Sequence, residues 1–115
     1  MAAAAVISWL GLLTHNVADL LGQTLWSPES GYPALGVALL VFLLRTRFRR
    51  AAVALLLGWA VLNLVVGGVL SVLPLPVLPF APEQTLRHYS FHALYAATQV
   101  PLIIQTCREL RRADT

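Results

Sequence analysis

Three histidines and an aspartate stand at helical spacing within otherwise apolar sequence. His15, Asp19 and Gln23 follow one another at intervals of four. His88, His92, Tyr95 and Gln99 follow at intervals of four, three and four. Each series would line one face of a helix. Two histidines one turn apart can put two imidazole nitrogens on one ion, and imidazole with carboxylate suits borderline metals such as zinc, copper or iron. His15, Asp19, His88 and His92 are therefore the candidate metal ligands, with Asp19 either a ligand or the partner that orients His15. Asn16, Asn63, Tyr95 and Gln99 are the supporting polar residues, and Gly67 and Ser71 share a face with Asn63. The same residues admit three other readings. Haem could sit between His15 and either His92 or His88. A proton relay is a second, because histidine titrates near neutrality. The third is plain hydrogen bonding from helix to helix.

The elements that must position these residues are expected to be membrane spans. Of the 115 residues, 58% are hydrophobic and 11% charged, against about 25% charged in a typical soluble domain. Such apolar surface has no place in water. Stretches long enough to span cover 2–25, 51–73 and 83–106, with a shorter one at 33–48. The expected fold is an all-α membrane protein, a four-transmembrane-helix bundle forming a single domain over 1–115. Ser27–Pro33 reads as a turn. Residues 74–82 contain four prolines, which forbids a regular helix; this apolar loop is expected to pack over the outer helix ends. Pro82 and Glu83 read as the start of the last helix, and Pro101 as a bend within it.

All eight basic residues are arginine. Arg45, Arg47, Arg49 and Arg50 form one cluster, Arg108, Arg111 and Arg112 another, and only Arg87 falls elsewhere. Both clusters abut apolar spans, so they read as topology signals rather than a nucleic-acid surface. They place both termini in the cytoplasm and the histidines in the outer half of the membrane. The absence of lysine beside abundant arginine and alanine points to GC-rich coding, hence to a bacterial inner membrane. The lone Cys107 allows no internal disulfide.

Length and expected helix count resemble those of the small multidrug-resistance transporters. Where that family carries an embedded glutamate in its first helix, this chain has His15 and Asp19, and its arginine asymmetry is stronger, so no residue role is transferred. No nucleophile stands with a base and an orienter, and no glycine loop could cradle phosphate. A non-catalytic accessory or structural subunit of a membrane complex is therefore expected. Its partners would be the lipid bilayer and other membrane subunits or further copies of itself, with no nucleic acid. The alternatives are a transition-metal or haem-binding membrane protein and a small proton-coupled transporter.

Overall fold

The computed structural model of the chain describes residues 1–113; the last two residues of the expected domain lie outside it. Four helices account for it, with no strand among the described residues. Helix α1 covers Ala2–Asp19 and α2 covers Pro28–Leu43. Helix α3 covers Arg49–Leu62 and runs on through a π-helical segment, Asn63–Val69, and a 3₁₀ turn, Leu70–Val72. Helix α4 covers Leu86–Ala113. The bundle is antiparallel, with α4 lying against α1 and against α3 and its π continuation, while α2 packs on α1 and α3. One end of the bundle carries the arginine clusters and the other the histidines.

Element boundaries depart from the sequence reading in several places: α2 ends at Leu43 rather than 48, α4 runs on to Ala113 rather than 106, and three further departures have a local reason. Helix α1 stops at Asp19 rather than running to Leu25. Leu20 turns extended, and Gly22 adopts a φ of 75°, a left-handed conformation that suits glycine. Gln23 therefore lies beyond the helix and not on the His15–Asp19 stripe. Helix α2 begins inside the expected turn: Pro28 takes the first helical position, where a missing N–H costs nothing. Pro33, inside α2, leaves the Glu29 carbonyl without its helical donor. Asn16 supplies one from α1, its Nδ2 lying 3.4 Å from the Glu29 oxygen and 3.1 Å from Ser30 Oγ. Helix α4 begins at Leu86, not Glu83. Gln84 Nε2 donates to the Val72 carbonyl at 2.9 Å, which ties the proline loop to the end of α3. Thr85 caps α4 instead, its Oγ1 accepting from the His88 N–H at 3.3 Å.

Glycines set the spacing of α4 from its neighbours. A Cβ at Gly11 would come within 1.8 Å of Thr98 Oγ1, one at Gly67 within 2.6 Å of the Tyr95 ring, and one at Gly68 within 2.9 Å of Ala96 Cβ. The close approach is thus glycine-dependent on both sides of α4. Towards the arginine end the core is apolar: Ala5, Ala52, Val53, Leu56, Ala60 and Leu102 are fully buried. Arg49 closes that end, donating twice to Glu109 Oε1 at 2.8 and 2.9 Å and once to the Leu44 carbonyl at 3.2 Å.

Among the described residues one helix, Arg49–Val72, is both long and apolar enough to cross a membrane, with 24 residues and a mean hydropathy of 2.3 in its apolar window. Helix α2 is apolar but only 16 residues long. Helices α1 and α4 carry the polar residues of the histidine end, and these lower their hydropathy.

Candidate metal centre

The four expected ligands come from two helices packed side by side. One helical turn separates His15 from Asp19 on α1, and His88 from His92 on α4, so both pairs point into one layer. His15 Nε2 lies 3.0 Å from His92 Nε2 and 3.8 Å from Asp19 Oδ2. His88 Nδ1 lies 3.2 Å from Asp19 Oδ2. One ligand atom each from His15, Asp19 and His92 falls within 4.8 Å of the others. The Asp19 side chain is 2% exposed.

Neighbouring groups decide which ring nitrogens carry protons. His92 Nδ1 faces the Gly67 carbonyl at 2.9 Å, an acceptor, so Nδ1 donates and Nε2 keeps a lone pair. The Gly67 carbonyl belongs to the π segment, where it also accepts from Ser71 Oγ at 2.7 Å. His15 Nδ1 lies 3.3 Å from Asn16 Oδ1. The Asn16 amide is oriented by its own donation to Ser30 and Glu29, so His15 Nδ1 also donates and its Nε2 is bare. Two lone pairs therefore face each other at 3.0 Å beside a carboxylate oxygen. Such a set repels itself until a cation enters it. Asp19 Oδ2, Gln23 Oε1 and His88 Nε2 are buried without a hydrogen-bond partner. The His88–Asp19 approach is an ion-pair distance without hydrogen-bond alignment.

A proton can bridge two nitrogens but leaves Asp19 Oδ2 and His88 Nε2 unused. A metal ion can use His15, Asp19 and His92 together, while His88 adjoins the set through Asp19. Two ligands at tetrahedral angles on a zinc-like ion stand roughly 3.3 Å apart, close to the spacing seen here. Haem fits less well, since axial nitrogens on opposite sides of an iron stand roughly 4 Å apart, twice a metal–nitrogen bond. The 3.0 Å gap between His15 and His92 leaves no room for a macrocycle.

The supporting residues separate into two groups. Asn16 orients His15, as above. Tyr95 stacks on the His15 ring, with centroids 5.1 Å apart, and its hydroxyl donates to Asn63 Oδ1. Gln99 lies further from the ligands: it accepts from Ser8 Oγ and donates to the Ser8 carbonyl at 3.1 Å. Thr98 and Gln99 both donate to the Tyr95 carbonyl, not to the Ala97 carbonyl that Pro101 deprives of its donor.

Arg87 was not among the expected site residues. Its guanidinium lies 3.4 Å from Asp19 Oδ1 and donates to the Ala18 carbonyl at 2.7 Å, while staying 60% exposed. It offsets the carboxylate charge from the solvent side and leaves Oδ2 facing the histidines. Its isolation from the other arginines was the available signal. A cavity of about 310 Å³ adjoins the ligands, lined by His15, Asp19, His88 and His92 and roofed by Phe80–Glu83 of the proline loop.

No known protein family matches the chain, and no curated protein or solved structure matches it.

Proposed function

We propose that this chain is a small multi-pass membrane protein that binds a divalent transition-metal ion at the histidine end of a four-span bundle. The observation that carries the metal reading is the approach of the His15 and His92 Nε2 atoms to 3.0 Å beside the buried Asp19 carboxylate. A buried carboxylate beside three imidazoles at the end of an apolar bundle is costly unless these groups are paired or hold something. His15, His92 and Asp19 are the ligands, His88 backs Asp19, and the second nitrogens of His15 and His92 are fixed by Asn16 and Gly67.

The membrane setting is supported by the apolar helix Arg49–Val72 and by a longest extent of 45 Å, matching a bilayer with its headgroups at about 40–45 Å. Large apolar side chains on α2 and α3, including Leu35, Leu39, Phe42, Leu55 and Leu62, face outward. Lipid or a larger membrane subunit covers them. With the arginines in the cytoplasm, the metal centre lies near the outer face of the cell membrane. Its work is to hold an ion as an accessory protein rather than to catalyse a reaction. Equilibrium dialysis of the detergent-purified full chain against Zn²⁺ and Cu²⁺ tests this. Stoichiometric retention by the wild type, lost in His15→Ala and His92→Ala, is expected. Equal retention in all three proteins would refute the site.

A further inference from the structure

We infer that this metal site is one-ended: it takes a hydrated divalent ion from the aqueous phase at the histidine end and holds it, passing none to the arginine end. The inference rests on the metal-binding reading above.

The unsatisfied polar atoms share one end of the bundle, and two of their residues, Asp19 and His88, line one cavity. Asp19 Oδ2, Gln23 Oε1 and His88 Nε2 belong to the histidine end, where the 310 Å³ cavity lies under Phe80 and Glu83. Below the ligands the polar groups are engaged with one another. The Tyr95 hydroxyl donates to Asn63 Oδ1, and Asn63 Nδ2 donates to the Trp59 carbonyl at 2.7 Å. Trp59 Nε1 donates to Ser8 Oγ at 2.9 Å, Ser8 donates to Gln99, and Gln99 returns a bond to the Ser8 carbonyl. An ion moving inward would have to break these bonds to be solvated, and an ion that keeps no ligands is not stable in an apolar interior. Beneath them Leu56, Leu102, Val53, Ala5 and Ala60 are fully buried and bring no oxygen or nitrogen from their side chains.

Rearrangement to the other side is also resisted. Alternating access needs one part of a bundle to rock against the rest. Here α4 is seated on α1 at Gly11 and on the π segment at Gly67 and Gly68, contacts so close that a single Cβ would collide with Thr98, Tyr95 or Ala96. The donor chemistry adds selectivity. All candidate ligands are nitrogen or oxygen, while the chain's only cysteine, Cys107, and its only methionine, Met1, belong to the arginine end. Nitrogen and oxygen donors favour divalent zinc or copper over Cu⁺, which prefers sulfur.

The test uses the full chain in phosphatidylcholine vesicles with a zinc-responsive dye trapped inside. After Zn²⁺ is added outside, bound metal is measured on vesicles freed of excess ion, and lumenal dye is followed in parallel. Saturable retention, at least tenfold lower in His92→Ala and in Asp19→Asn, with a dye signal no faster than in protein-free vesicles, is expected. Retention together with a His92-dependent lumenal rise would overturn the one-ended site while leaving the metal site standing. No retention by the wild type would overturn the metal reading and this inference with it.

Discussion

His15 and His92 approach through their Nε2 atoms at 3.0 Å, while the Nδ1 of each ring is already committed to an oxygen of Asn16 or Gly67. With Nδ1 of each ring as the donor to that oxygen, the two helices bring together electron pairs rather than a donor and an acceptor. Stability of this pairing depends on what sits between the rings, and the adjoining Asp19 carboxylate favours a cation there.

Ligand roles should separate in binding measurements. Removal of His15 or His92 is expected to lower metal affinity by at least a hundredfold. His88→Ala is expected to lower it by about tenfold, because His88 meets Asp19 rather than the pair of bare nitrogens. Isothermal titration of the three single alanine variants checks the order; an equal loss in His88→Ala and His92→Ala would contradict it.

Asn16 has two tasks that can be told apart. It supplies the donor that Pro33 denies the Glu29 carbonyl, and it orients His15. Asn16→Ala should destabilise the bundle by about 1–3 kcal/mol through the unpaired buried groups. In a Pro33→Ala background the Glu29 carbonyl regains a helical N–H, so the same substitution should cost about 1 kcal/mol less. Metal affinity should fall equally in both backgrounds. A thermal-unfolding cycle in detergent reads the first effect and titration the second; strict additivity in stability would reject the carbonyl role.

Two glycines make a contrasting pair. Gly67→Ala places a Cβ 2.6 Å from the Tyr95 ring and displaces the carbonyl that holds His92, so a loss of about 1–3 kcal/mol is expected, together with weaker metal binding. Nothing lies within 4 Å of the position a Cβ would take at Gly58 in α3. Gly58→Ala should be neutral or stabilise by up to about 1 kcal/mol. Matched melting curves decide; similar losses at both positions would contradict the close contact at α4.

Orientation can be read with single cysteines in a Cys107→Ser chain. Val77→Cys, in the proline loop, should react with a membrane-impermeant thiol reagent on intact cells. Phe48→Cys, among the arginines, should react only after the membrane is opened. Labelling of both on intact cells would exclude the four-span arrangement.

The ligand stripes were legible because helical periodicity is local: intervals of four and seven residues place His15 with Asp19 and His88 with His92 and Tyr95 without knowledge of any neighbour. Element ends were less so. Leu20, Leu21 and Leu25 continue the apolar run of α1, and hydropathy holds no stop signal where Gly22 turns the chain. The Pro28–Pro33 stretch reads as a turn until Asn16 of α1 is seen to satisfy the Glu29 carbonyl, a tertiary contact. The π segment, which exposes the Gly67 carbonyl to His92, leaves no pattern in Asn63–Val69 beyond its two glycines. Arg87 stood out as the only arginine away from both clusters, yet its pairing with Asp19 needs α1 beside α4, which no sequence spacing states.

What His15 and His92 hold between them is read by X-ray absorption at the zinc edge of the Zn²⁺-loaded full chain. Nitrogen and oxygen neighbours at about 2.0–2.1 Å are expected, with imidazole scattering from at least two histidines and no sulfur at about 2.3 Å. That imidazole signal should vanish in the His15→Ala, His92→Ala double variant. Sulfur in the first coordination sphere, or an imidazole signal unchanged in the double variant, would contradict this ligand set.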